Sequence, residues 1–395
     1  MRTIHLMERG TTSDVALTAD EVRFLRSARA GVSILASGKA GVYDLKASQV
    51  IGTLVGPTFR LLIQPKLPVR RVLYLLGYMR GTIRLDETTI LGEAGELAEV
   101  MQLLFMKALE RALRGGLVRG YVSREEELAA MRGRLDVGGL VLRRFGVVPP
   151  LPCTYDELTI DTEPNRRLLA AAVRLAVLPG GKMALAQRLR ELVRGMEGIR
   201  LIHYGRTLSV LPPDRRYAHF AEALALADMV LRNSSVELRE GDVSATGLLV
   251  DMEELYEGFV FTALGEVLSE SGRWERHPPD LYLDEARRVK LEPDILWSSA
   301  RGEPRLVLDA KYKSSVQGMH ADLYQALAYC TALGLRTGIL LYADTEESVH
   351  RIPAAGIALH VVRFDPDGEP DELRNRARQL AARLEELVAA GRAAA

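Results

Sequence analysis

Asp294, Asp309 and Lys311 are the residues whose types and spacing speak most directly of chemistry. They lie in Leu291-Glu-Pro-Asp-Ile-Leu-Trp297, a turn at residues 298–302, and Arg305-Leu-Val-Leu-Asp-Ala-Lys-Tyr-Lys313. Side chains alternate across a strand, so Asp309 and Lys311 at i and i+2 share one face while Ala310 points the other way, into a core. The apolar run Leu306-Val307-Leu308 suits a buried strand, and a buried strand rarely carries Asp and Lys without a purpose. A hairpin would bring Asp294 onto the neighbouring strand, where its carboxylate converges with that of Asp309. Two carboxylates and the Ala310 carbonyl are hard oxygen donors of the kind that Mg²⁺, or Mn²⁺ in its place, takes beside a substrate phosphate. Such a metal would activate water, with Lys311 orienting the nucleophile or stabilising the pentavalent phosphorus; this is phosphodiester hydrolysis.

Two helices must flank that hairpin. In Met252-Glu-Glu-Leu-Tyr-Glu-Gly-Phe-Val260 the apolar positions define one face and Glu257 lies on its border, within reach of the metal. In Asp322-Leu-Tyr-Gln-Ala-Leu-Ala-Tyr329, Gln325 and Tyr329 are four apart and share a helical face, placed to hydrogen-bond the scissile region or to hold Lys311. With Glu253 and Glu254 nearby, a solvated helix charge is the alternative reading of Glu257.

The remaining elements follow from periodicity. Short β-prone runs at 31–35, 42–45, 49–55 and 59–64 predict a β-rich N-terminal region, and a helix is predicted over 93–114. Two strands with a projecting connection are expected between residue 117 and a Pro-rich stop at 149–152. Helices near 163–178, 182–197 and 215–232 form a middle layer. After about residue 245 the order is helix (250–270), strands (280–284, 288–297, 305–312), helix (320–334), strand (337–342) and helix (371–389), an α/β core. The expected fold class is α+β multidomain. Its parts are a β-rich domain at 1–160 with a projecting segment, a helical layer at 161–240, and a catalytic domain at 241–395.

Composition narrows the class. Lys+Arg and Asp+Glu both total 52, but residues 1–150 hold 22 basic against 15 acidic side chains, whereas 241–395 hold 17 against 26. A basic front half could lie along phosphates; an acidic rear half would need metal or local cations to approach them. Two cysteines are too few for a disulfide framework or a four-ligand zinc site, and the seven histidines never take zinc spacings. A reducing cytoplasm is expected, with no membrane span and no signal peptide. No G-x-x-x-x-G-K-[ST] loop occurs, so the chain is not itself a P-loop motor.

The order Glu257, Pro293-Asp294, Asp309-Ala310-Lys311, then Gln325 with Tyr329 resembles the PD-(D/E)xK nuclease superfamily. Adding Gln64-Pro-Lys-Leu67, Gly133-Arg-Leu-Asp136 and Pro152-Cys-Thr-Tyr-Asp-Glu-Leu-Thr-Ile-Asp-Thr-Glu-Pro-Asn-Arg166, most of residues 40–345 resemble McrC, the endonuclease subunit of McrBC-type modification-dependent restriction systems. The resemblance implies a C-terminal restriction-endonuclease-like core that cuts double-stranded DNA. It also implies docking on, and stimulation of, a hexameric McrB-like AAA+ GTPase that reads the modified base. By the same resemblance the N-terminal region around Arg132, Arg134 and Asp136 would engage the motor, a projecting Arg acting near the phosphates of a neighbouring NTPase. A non-cleaving adaptor of an AAA+ NTPase and a stand-alone repair-type nuclease are the alternatives.

Overall fold

The computed structural model describes residues 1–28, 30–56, 58–78, 96–138, 150–178, 180–202, 208–209, 211–212, 214–236, 246–313 and 319–393. Residues 93–95 of the expected helix, Pro149 and Pro213 lie outside them.

The chain opens with β1 (Arg2–Met7), β2 (Thr11–Ala16), α1 (Ala19–Ser27), β3 (Val32–Ala36), β4 (Val42–Ala47), β5 (Val50–Val55), β6 (Phe59–Gln64) and α2 (Val69–Tyr78). The β-rich reading holds, but two helices interrupt it. Helix α1 starts where Thr18 and Glu21 form a reciprocal capping box, each side chain accepting from the other's backbone N–H. The middle of the chain gives α3 (Leu97–Arg114), β7 (Gly120–Leu128), β8 (Arg134–Leu135), β9 (Leu151–Thr159), α4 (Glu163–Ala176), α5 (Met183–Arg194), a 3-10 turn at Arg215–Phe220, α6 (Ala221–Asn233) and β10 (Ser234–Val236). The rest is β11 (Thr246–Asp251), α7 (Met252–Leu268), β12 (Arg273–Arg276), β13 (Ile295–Ser298), β14 (Pro304–Lys311), α8 (Met319–Leu333), β15 (Thr337–Tyr342), β16 (Ser348–Ile352), β17 (Ile357–Arg363) and α9 (Pro370–Ala393).

The chain divides into two compact units whose boundaries differ from the expected ones at 160 and 240. The first unit joins residues 1–52, 56–94 and 249–395; the second holds 53–55 and 95–248. Most of the β-rich N-terminal part thus folds with the C-terminal part, and the middle helices fold with α3 and the β7–β9 strands. Hydrophobic periodicity reports local structure and cannot tell which distant segments share a core.

In the first unit a six-stranded sheet has the order β12-β13-β14-β15-β17-β16. Strands β12, β13 and β14 pair antiparallel, whereas β14, β15 and β17 run parallel in the centre. Their interiors are near-continuous apolar runs, as strands covered on both faces require. Ala326, Tyr329 and Cys330 of α8 pack with Val307, Leu340 and Leu359, each fully buried large side chain contributing about 1.5–3 kcal/mol. Helix α7 buries Leu255, Tyr256, Phe259, Val260, Ala263 and Leu264. The edge pair β16–β17 was not anticipated, and the expected strand at 280–284 is reduced to a single bridge, Tyr282 with Lys290. The N-terminal strands form β2-β4-β3 and the parallel pair β1–β6.

In the second unit α3, α4, α5 and α6 pack on one another, and β7, β9 and β8 form a three-stranded sheet. The segment Asp161–Arg167 is its clasp. The Asp161 carboxylate accepts from Arg166 and Arg200. Fully buried Asn165 exchanges hydrogen bonds with the Val118 backbone, and fully buried Arg167 pairs with Glu163 and Asp228. Among the described residues no helix is long and apolar enough to cross a membrane.

Candidate active site

The β13–β14 hairpin does what its sequence predicts. Asp294 immediately precedes β13, Asp309 lies within β14 two residues before its end, and the two are 7% and 2% exposed. The Ala310 N–H donates to Asp294 Oδ2 at 2.7 Å. Lys311 O accepts from Ala343 on the β15 side, so by the alternation of backbone groups along a strand the Ala310 carbonyl faces the Asp294 side. The buried Asp294 and Asp309 carboxylates act on each other electrostatically.

Lys311 Nζ forms an ion pair with Asp309 Oδ2 at 2.6 Å. That pair lacks the angles of a normal hydrogen bond, and Oδ1, equally buried, has no donor at all. Burial, then the neighbouring Asp294, pushes the Asp309 carboxyl well above the usual carboxylate range; burial and then Glu257 do the same to Asp294. For Lys311 the Asp309 and Asp294 carboxylates outweigh the opposing desolvation and hold the ammonium charged.

Helix α7 places Glu257, half-buried, beside this pair, as expected. Burial raises its carboxyl to about 7, against the pull of Arg276, whose Nη2 lies 3.6 Å from Glu257 Oε2. Helix α8 brings Gln325 and Tyr329 together, with the Gln325 amide donating to the Tyr329 hydroxyl at 2.6 Å. Tyr329 in turn donates to the Glu292 carbonyl at 3.0 Å. Their hold is therefore on the backbone leading into Pro293-Asp294 and not on Lys311, which Asp309 holds.

Several partners escaped sequence reading. Arg276 on β12 carries no motif. Glu253, to which the sequence reading assigns no role, accepts from the Gln49 amide and senses the charges of Lys311, Lys313 and Arg9. Lys313 pairs with buried Asp322 at 2.6 Å, and Asp322 also accepts from the Tyr342 hydroxyl; the same-face spacing of Asp309, Lys311 and Lys313 was the available signal.

Arg132, Arg134 and Asp136 belong to the second unit. The Arg132 guanidinium lies 3.9 Å from the Tyr155 ring centre, and the Tyr155 hydroxyl donates to Glu126. Arg134 is exposed on β8 opposite Thr154, and the Asp136 N–H donates to the Pro152 carbonyl. Gly133 has φ 67°, and a Cβ there would sit 2.4 Å from the Thr154 carbonyl oxygen, so the turn admits only glycine.

Among the described residues no group of three or more His, Cys, Asp or Glu side chains is arranged to hold a metal ion. The pair Asp294 and Asp309 could nevertheless hold a divalent cation: two buried carboxylates that act on each other, one buried oxygen without a donor, and a carbonyl on the Asp294 side are an oxygen donor set.

Fold and site together define a multidomain α+β protein with a buried carboxylate–lysine site on a mixed sheet. Residues 45–343 match the family described as the McrBC 5-methylcytosine restriction system component, and the chain belongs to that family. A chain of a solved tetradecameric assembly, described as Thermococcus gammatolerans McrB AAA+ hexamers with bound McrC, is similar in fold. It shows a TM-score of 0.56 and 17% identity, with 96% of this chain and 99% of that chain covered. A chain of the cryo-EM structure of the Thermococcus gammatolerans McrBC complex aligns with a TM-score of 0.42 and 19% identity over 66% of this chain and 87% of that one. No curated protein matches the sequence.

Proposed function

We propose that this chain is the nuclease subunit of an McrBC-type restriction system, a Mg²⁺-dependent endonuclease for double-stranded DNA whose C-terminal core is of the PD-(D/E)xK type. The observation that carries the reading is the buried Asp309 carboxylate, one of whose oxygens has no donor, with Asp294 acting on it and an ammonium 2.6 Å away. Asp294, Asp309 and the Ala310 carbonyl would hold the cation, with Glu257 reaching it directly or through water. A bound Mg²⁺ supplies a lowered pKa for water and a countercharge for the phosphate.

The chain's own residues then have distinct tasks. Lys311, kept charged, orients the attacking water or offsets charge on the pentavalent phosphorus. Arg276 fixes Glu257. Tyr329, steadied by Gln325, fixes the Glu292 carbonyl and so the backbone approach of Asp294. Buried Cys153 and Cys330, both free thiols, suit a reducing cytoplasm.

The partner we propose is an AAA+ GTPase hexamer of the McrB kind, engaged and stimulated through the second unit, including Arg132, Arg134 and Asp136. Family membership and the likeness to a chain from an assembly of McrB hexamers with McrC support it. The test is Asp309→Ala in the full chain with its partner: cleavage should vanish while folding and stimulation of the partner's nucleotide hydrolysis persist. Full-rate cutting by the folded variant in Mg²⁺ would remove the site assignment.

A further inference from the structure

The turn between β1 and β2 reaches the end of the catalytic strand. The Glu8 carboxylate accepts from the Lys66 N–H at 3.1 Å and from the Tyr312 hydroxyl at 3.5 Å. The Arg9 N–H donates to the Ser48 carbonyl at 2.9 Å, and its guanidinium lies 5.2 Å from the centre of the Tyr312 ring. Tyr312 directly follows Lys311. Arg9 is held at φ 56°, a left-handed conformation uncommon outside glycine and one that concentrates at functional sites.

Most charges at this strand end are committed. Lys311 is paired with Asp309 and Lys313 with Asp322; Glu253 accepts from Gln49, and Glu8 from Lys66 and Tyr312. Arg9 and Lys66 differ. Neither forms an ion pair among the described residues, Arg9 is half-buried and Lys66 exposed, and both charges act on Glu8. Arg9 also acts on Glu253, which faces Lys311 and Lys313. An arginine laid on an aromatic face keeps its N–H edge free for an oxyanion. Lys66 spends its backbone N–H on Glu8, which fixes the Gln64-Pro65-Lys66 turn while its side chain stays in solvent.

We infer that Arg9 and Lys66 grip the phosphate backbone of the nucleic acid beside the catalytic strand, so that the N-terminal strands belong to the substrate site. The inference rests on the nuclease reading for the identity of the ligand. The test is binding of the full chain to a short fluorescent duplex in EDTA, where cutting plays no part, over a series of salt concentrations. Each lost phosphate contact lowers the slope of log K against log salt by about 0.9. Lys66→Ala should lose about one such step, Arg9→Ala about one, the double variant about two, and Arg9→Lys should keep the wild-type slope. A slope unchanged in Lys66→Ala and in the double variant overturns the inference, whatever happens to their melting temperatures, and so does a wild-type chain that binds no duplex. Arg9-dependent binding by a chain that never cuts with partner and Mg²⁺ would instead sink the nuclease reading and leave the phosphate contact standing.

Discussion

Asp161 is 5% exposed and joins the start of α4 to the segment after α5. Its Oδ1 accepts from Arg166 Nε at 2.6 Å and the Arg200 N–H at 3.0 Å; its Oδ2 accepts from Arg166 Nη2 at 2.8 Å and Arg200 Nε at 2.6 Å. Asp161→Asn keeps the shape and removes the charge. The Arg166 side chain is 15% exposed, so losing its bidentate charge-assisted pair costs about 2–3 kcal/mol. The Arg200 side chain is 65% exposed and screened, and its share is at most about 0.5 kcal/mol. About 3 kcal/mol in a unit of about 150 residues that unfolds on its own is a fall in Tm of about 9 °C.

The pH dependence has a definite sign. The Arg166 pair, then the Arg200 contacts, hold the Asp161 carboxyl far below its ordinary 3.8. A folded-state pKa below the unfolded one gives stability that is present above about pH 4 and lost as pH falls toward the folded value. Thermal unfolding of wild type and variant between neutral pH and about pH 3 should therefore show the gap at its full size above about pH 4 and narrowing below. A gap of under about 2 °C at neutral pH, or one that widens in acid, would refute the reasoning.

Lys311→Ala should cripple cutting with little loss of metal affinity, since an ammonium cannot ligate a cation; calorimetry showing Mg²⁺ binding lost as fully as in Asp309→Ala would contradict the separate roles. Tyr329→Phe should cost about 1 kcal/mol of stability and slow cleavage several-fold by loosening Glu292, and an unchanged rate with an unchanged Tm would dismiss the positioning role. Gly133→Ala should destabilise the β8 turn by about 1–3 kcal/mol, read as faster amide exchange along β8 and β9. A fragment of 241–395 should fail to fold natively, because it lacks the strands and helices of 1–94 that complete its unit; cooperative unfolding by that fragment would contradict the division.

The β13–β14 hairpin was legible in the sequence because its signals are local. Alternation along β14 decides that Asp309 and Lys311 share a face, the run before them demands burial, and a short turn must return Asp294 to the adjacent strand. The same holds for the helical spacing of Gln325 and Tyr329. Tertiary structure alone decided what these groups touch. That Tyr329 grips the Glu292 carbonyl, that Arg276 answers Glu257, and that Arg9 overlies Tyr312 across some three hundred intervening positions all depend on packing between segments that carry no shared periodicity. Domain membership is the clearest case: residues 1–52 and 56–94 join 249–395. A hydrophobic pattern states that a face must be covered, and only the folded chain determines which distant segment covers it.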